Sequence, residues 1–419
     1  MSVNLGKTAV LVFNKSGKQL KTSFGLKYGP TKISSKKDYC YLGITLCLSG
    51  SLNKAQDELR KKGFRAYFSL KSSIDIRSLA VKPLFRLFDS LIVPVFTYGC
   101  QIWIFETALI KLIASNNLFI NPSLSFSKIA SDHSERIHLK FLKWTLGLPS
   151  RSSNLPCWGD SGRLPILSSC LKLAFKYIQR LQGLKNSTEQ SLAGNAYIEQ
   201  ESLKLRWFRC FEQLQDYVNM RGPVDPVKAS NNIGSNLKTL WKAALPLNRK
   251  LNFYRTIKSE LSYEPFLEIK EYERRKALAQ LRSSSHRLNC ETGRYASKNN
   301  PNPNILCNKC CKTCCDSEAE ALAQLPFFEA IIEDEQHFLA TCPFIYHSIR
   351  LQLNETLKSA IVSWDPELLQ GIFSKDHMIP FSKYVLQLFR IRFPKDGEVN
   401  KDKKRIPPVK NSGKKSTKE

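Results

Sequence analysis

Three thiols and an imidazole in the last third of the chain have the types and spacing of a metal site. Cys307 and Cys310 form a C-x-x-C pair, and His337 and Cys342 form an H-x-x-x-x-C pair. Zn²⁺ favours thiolate and imidazole, and a two-residue gap lets one tight turn aim both sulfurs at a single point. Four protein ligands close a tetrahedral ion, so zinc here would be structural and would not activate water. Two features complicate the set. The connection 311–336 is long and brings further thiols at Cys311, Cys314 and Cys315, with a second C-x-x-C from Cys311 and Cys314. His337 and Cys342 are five apart, which an undistorted helix would place well off one face, so the turn before Pro343 must loosen. The competing reading is a set of reduced cysteines packed as small apolar side chains.

The elements around this cluster are basic. EYERRKALAQLR reads as a helix that places Arg275 and Arg282 seven apart on one face, and with His286, Arg287 and Arg294 they form a positive surface leading into the cysteines. A solvated charge run is the alternative for any one of them. Farther upstream, Ser51 caps LNKAQDELRKKGFRAYFSLK, with Leu52, Ala55, Leu59, Phe64 and Ala66 near helical spacing and Lys54, Arg60, Lys61, Lys62 and Arg65 on the other faces. KLRWFR, from Lys204 to Arg209, interleaves bases and aromatics. Such a segment can stack on nucleobases while neutralising phosphate, although Trp207 and Phe208 equally suit a core.

Composition points the same way. Lys and Arg number 64 against 36 Asp and Glu, a net charge of +28 over 419 residues. An excess of that size calls for a polyanion, with RNA and/or DNA first in line, contacted largely through phosphates. Thirteen cysteines, an odd number, follow an N-terminus without a secretory pattern. A reducing, intracellular setting follows, in the nucleus and/or cytoplasm and not secreted. The longest apolar run, Leu91–Phe105, is shorter than a bilayer span and contains Pro94 and Gln101, so it reads as part of a buried helix from Arg77 to Trp103 with no membrane role.

In chain order, TAVLVF, LKTSFGLKYG and YCYLGITLCLSG read as strands, thin for an independent sheet and opening in mid-element as an α/β domain without its front would. Helical patterns follow at 134–148, 164–184, 201–218, 237–244, 251–262, 345–358, 366–373 and 381–389, and the basic tail from Lys395, which includes KDKKR, reads as disordered. The expected fold is mainly α with a small N-terminal antiparallel β segment, in a multi-domain helical chain with a Cys/His zinc-knuckle-like module.

Beyond these patterns, the order of KTAVLVFNKSGK, YLGITLCLSG, KPLFRLFDSLIVPVFTYGCQIW, FLKWTLGLPSRSSN, WGDSGRLPI, LRSSSHRLNCETGRY and EDEQHFLATCP resembles the C-terminal part of the reverse transcriptase of non-LTR (LINE-type, Jockey-like) retrotransposons. The resemblance covers the chain to about Leu353. It implies a palm edge over 1–50, a helical thumb over 51–150, a helical connector over 151–285, a zinc-knuckle-like module over 286–353, C-terminal helices over 354–394 and a tail over 395–419. Tyr41, Leu42, Gly43 and Ile44 correspond to the primer-grip strand, Cys307, Cys310, His337 and Cys342 to the zinc ligands, and Lys7 to a lysine near the incoming nucleotide.

The departures bear on activity. Polymerases of this kind hold two Mg²⁺ ions on carboxylates that include an Asp-Asp turn, and this sequence has no Asp-Asp pair. The expectation is therefore a nucleic-acid-binding chain that is not itself an enzyme. Two alternatives stand beside it: a subunit complementing a separately encoded palm chain in an active polymerase, and a zinc-stabilised helical interaction protein.

Overall fold

The computed structural model describes residues 3–14, 18, 25–108, 112, 122–185, 191–220, 222–292, 333–342 and 347–394. The chain is mainly α with small N-terminal antiparallel β pairs, and it divides into two compact units, residues 1–270 and 271–419.

The first unit opens with two hairpins, β1 (Lys27–Tyr28) with β2 (Thr31–Lys32), and β3 (Asp38–Tyr41) with β4 (Ile44–Cys47). TAVLVF, expected as a strand, makes only the isolated bridge Val10–Ser35, because no neighbouring strand offers it a full ladder. Tyr41 pairs with Ile44, so Leu42 and Gly43 are the whole β3–β4 loop, and both have positive φ, 47° and 83°. That is the turn whose twist matches the flanking strands. Gly43 adopts it freely, whereas Leu42 pays about 1–2 kcal/mol for a left-handed conformation.

The helices follow. α1 (Asn53–Ser73) buries Ala55, Leu59, Gly63, Tyr67 and Leu70, one residue per turn. At Gly63 a Cβ would stand 3.1 Å from Phe96 and 3.3 Å from Ile137, so its absence lets α1 approach two other helices. The single helix expected from Arg77 to Trp103 is three: α2 (Val81–Leu91), α3 (Val93–Thr97) and α4 (Cys100–Ala108). Pro94 cannot donate to the preceding turn and Gly99 turns left-handed at φ 65°, which together break the rod. Among the described residues no single helix is long and apolar enough to cross a membrane, and the pair that passes by composition, Val81–Thr97 with Cys100–Ala108, is bent by 83°.

The rest of this unit comprises α5 (Pro122–Ala130), α6 (His133–Leu146), α7 (Leu155–Ser161), α8 (Ile166–Lys185), α9 (Leu192–Ser202), α10 (Arg206–Tyr217), α11 (Pro226–Ala244) and α12 (Asn252–Ile257). α8 is its axis and packs against α4, α6, α9 and α11. Its buried residues, Ile166, Leu167, Cys170, Leu171, Ala174, Phe175, Ile178 and Leu181, keep the three- and four-residue spacing of one helical face. The helix expected over 201–218 is divided because Lys204 turns left-handed at φ 47° between α9 and α10. α11 begins eleven positions before the expected Leu237, where the Asp225 side chain caps it by accepting from the Val227 and Lys228 amides and Pro226 opens its first turn.

The second unit contains α13 (Tyr272–Arg282), α14 (Asn289–Thr292), a π turn at His337–Thr341, α15 (His347–Arg350), α16 (Glu355–Ser363), α17 (Pro366–Ile372) and α18 (Lys375–Arg392). α13 packs along α18, and the π turn is held from the same side, with Phe338 stacked on Phe389 at 5.2 Å and the Tyr384 hydroxyl donating to the Leu339 carbonyl at 2.6 Å.

Candidate functional site

Two places in the first unit and one in the second carry the chemistry. The β3–β4 hairpin presents Tyr41 and Leu42 at 60% and 72% exposure, together with Gly43. Its tip is braced from behind by a residue that the sequence reading did not single out. The Tyr98 hydroxyl donates to the Leu42 carbonyl at 2.8 Å, and a Cβ on Gly99 would stand 3.2 Å from Ile44 Cδ1, so the glycine admits the Ile44 side chain. The YLGI and TYGC segments thus meet although 56 positions separate Leu42 from Tyr98. Lys7 is exposed, and its carbonyl accepts from the Tyr39 hydroxyl.

β4 rests on α1, whose outer faces carry Lys61, Lys62 and Arg65, all exposed. Lys61 reaches Asp57 at 2.9 Å, and with Arg60 it holds that carboxyl below its usual pKa. Among the described residues no carboxylate lies within ion-pair distance of Lys62 or Arg65. A screened pair such as Lys61–Asp57 contributes little to stability, so holding it intact does not account for these exposed cations.

The first unit also holds a polar network that resembles catalytic machinery and is buried at its centre, with only its Arg163–Asp89 end reaching solvent. Glu135 Oε1 accepts from the His138 Nδ1–H and the Trp158 indole N–H, each at 2.8 Å, and Oε2 accepts from the Ile166 amide at 2.6 Å. Arg163 Nε donates to His138 Nε2 at 3.1 Å while its other nitrogens grip Asp89, an arrangement that fixes the neutral Nδ1–H tautomer of His138. His138 and Glu135 are 0% and 1% exposed, so the network joins α6 to WGDSGRLPI and offers no substrate a place. The aromatics of KLRWFR turn inward, the core alternative, with Phe208 buried and Trp207 packed edge-on against Phe105 at 5.4 Å, while Lys204, Arg206 and Arg209 are exposed.

Burial sorts the cysteines as well. Cys157 is fully enclosed and burial pushes its thiol up to about 12, whereas Cys40 is exposed. Since the thiolate is the reactive form, iodoacetamide should label Cys40 in the native chain and reach Cys157 only on unfolding. Equal labelling rates, read by peptide mass, would contradict the packing around α7.

In the second unit the expected positive surface is corrected. Arg275 and Arg282 do share a face of α13, but it is the inward face, and they are 1% and 0% exposed. The Arg282 guanidinium lies over the Phe373 ring at 4.4 Å and that of Arg275 over Tyr272 at 5.7 Å. Seven-residue spacing establishes a common face but not which way it points. Arg287 is exposed, and Arg294 lies outside the described residues.

Of the four expected zinc ligands, Cys307 and Cys310 also lie outside the described residues, while His337 and Cys342 are buried. The loosened turn is present: the Cys342 amide donates to the His337 carbonyl at 2.9 Å, a five-residue closure. In an α-helix the two side chains would stand about 140° apart at 100° per residue, and the wider π turn narrows that angle. His337 Nδ1 contacts Thr341 Oγ1 at 3.1 Å, which orients the ring and suits Nε2 for a metal. To that extent these two residues fit the zinc set. Beside them stands a group that the spacing did not reveal: the ligand atoms of His286, Cys290 and Glu335 all lie within 4.8 Å of one another, close enough to share one ion.

No protein-family model matches the chain, and no solved structure matches it. It is similar to a transposon-derived, uncharacterized protein of Caenorhabditis elegans, with 31% identity over 110 residues, 26% of this chain. The match spans 38% of that protein's length.

Proposed function

We propose that this chain is a nucleic-acid-binding protein of transposon origin, related to the C-terminal part of non-LTR retrotransposon reverse transcriptases. It holds an RNA–DNA or RNA duplex by its backbone with little sequence preference. The observation that carries the reading is the exposed β3–β4 hairpin set on a helix whose outward cations Lys62 and Arg65 have no carboxylate within ion-pair distance among the described residues, in a chain of net charge +28. The similarity to a transposon-derived protein supports the origin.

In this reading Tyr41, Leu42 and Gly43 offer an apolar and backbone surface to a strand end, Lys61, Lys62, Arg65 and Arg287 neutralise phosphates, and zinc on Cys307, Cys310, His337 and Cys342 would hold the module rigid. The chain binds without polymerising, since it has no Asp-Asp pair to seat two metal ions.

A salt series tests it. Binding of the purified chain to a short RNA–DNA hybrid should weaken linearly in log–log form by about 0.7–0.9 per phosphate contacted. The variant with Lys61→Ala, Lys62→Ala and Arg65→Ala should lower that slope by about two. A flat line for the parent chain would favour the zinc-stabilised interaction protein, and an unchanged slope in the variant would move the interface off α1.

A further inference from the structure

The expected knuckle gives His286, Cys290 and Glu335 no metal role, and His286, expected on the positive surface, is buried at 5% exposure. Ser284 sits in the left-handed region at φ 46° just past α13, which turns the chain so that His286 follows it inward. Ser284 Oγ donates to Glu335 Oε1 at 2.6 Å, and His286 Nε2 meets the same oxygen at 3.0 Å. Cys290 comes from α14, whose position is set by the Cys290 amide donating to the Glu333 carbonyl at 3.3 Å. His286 and Cys290 are buried and Glu335 nearly so. A thiol, an imidazole and a carboxylate therefore converge from two segments, 284–290 and 333–335, with a serine hydroxyl already orienting the carboxylate.

We propose that His286, Cys290 and Glu335 form a second metal site, separate from Cys307, Cys310, His337 and Cys342, that takes a borderline divalent cation of the zinc class. The donor set decides the class: nitrogen and sulfur disfavour Mg²⁺ and Ca²⁺, which seek oxygen alone. Ligand atoms around tetrahedral zinc stand about 3.3–3.8 Å apart. The longest separation in the triad is within 4.8 Å, so the side chains close by about 1 Å to meet an ion of that size. The Cys290 thiol gives up its proton to solvent as the metal enters, since only thiolate ligates. The bound ion ties segment 284–290 to the π turn that carries His337 and Cys342, so that one module has two pins.

The test is a metal count on the full chain, by difference. Zinc per chain should fall by about one equivalent in Cys290→Ser and independently by about one in the Cys307→Ser, Cys310→Ser double variant. In the cobalt-loaded protein, Cys290→Ser should remove about a quarter of the thiolate-to-cobalt charge-transfer absorbance, one sulfur of four. Should Cys290→Ser lose its helical circular dichroism, Glu335→Gln decides, with cobalt affinity at this site expected to drop at least about tenfold. Unchanged zinc and an unchanged cobalt band in a folded Cys290→Ser, or unchanged affinity in Glu335→Gln, would overturn the site. None of these readouts depends on nucleic-acid binding, so failure of that proposal and of this one would be told apart.

Discussion

Replacing Glu135 with Ala is expected to destabilise the first unit by about 3–5 kcal/mol, since it strands three buried hydrogen-bond donors. Three donors aim at this carboxylate, from His138, Trp158 and the Ile166 amide, and its removal leaves all three facing an apolar interior. Each buried donor left without an acceptor costs about 1–3 kcal/mol. Loss of the His138 contact also frees the ring that Arg163 holds, and with it the link from Asp89 on α2 to α6. Glu135→Gln separates charge from hydrogen bonding. Its amide keeps one accepting oxygen for His138 and Trp158 but turns a donor toward the Ile166 N–H, so the loss should be smaller, about 1–3 kcal/mol. Urea unfolding followed by tryptophan fluorescence reads both, because Trp103, Trp144, Trp158, Trp207 and Trp241 belong to the first unit and only Trp364 to the second. A loss under about 1 kcal/mol in Glu135→Ala would mean that water enters and satisfies the donors.

The same network shows what a sequence can and cannot disclose. The helical class was legible because the apolar spacing of α1, α6 and α8 is regular, and α6 in addition carries Asp132 at its start and Gly147 at its end, in the positions that cap and stop a helix. The Leu42–Gly43 hairpin was anticipated as strand only, since a leucine in a left-handed turn runs against local preference and is held there by Tyr98 from a distant segment. Arg275 and Arg282 misled because charge predicts exposure, while their actual environment is set by aromatic faces on Tyr272 and Phe373, the latter some ninety residues away in sequence. The loosened turn between His337 and Cys342 was legible for the opposite reason: the mismatch between five-residue spacing and α-helical geometry is itself local information, and the π turn resolves it. Glu335 carried no motif, so its meeting with His286 and Cys290 is tertiary information that only the folded chain supplies.

Gly162→Ala is the second large effect, and it tests why W-G-D-S-G is written as it is. Gly162 ends α7 at φ 66°, where any side chain costs about 1–2 kcal/mol of backbone strain. Space is the greater obstacle. A Cβ there would fall inside contact distance of the Tyr263 amide nitrogen and 3.0 Å from the carbonyl carbon of Ser262, all backbone atoms that cannot swing aside. The two segments are fastened at that point by the Ser161–Tyr263 bridge and by the Glu264 amide donating to the Asp160 carbonyl at 2.9 Å. Relieving the overlap therefore means prying them apart, and the Tyr254 hydroxyl, which donates to Asp160 at 3.0 Å, moves with them. The expected total is on the order of 2–5 kcal/mol, backbone strain plus overpacking. Gly222→Ala supplies the comparison: φ is 85°, but among the described residues no non-neighbouring atom lies within 4 Å of the added carbon, so it should show the conformational cost alone, about 1–2 kcal/mol. The difference between the two variants measures the clash, and equal losses would show that the 262–263 backbone yields to a methyl group.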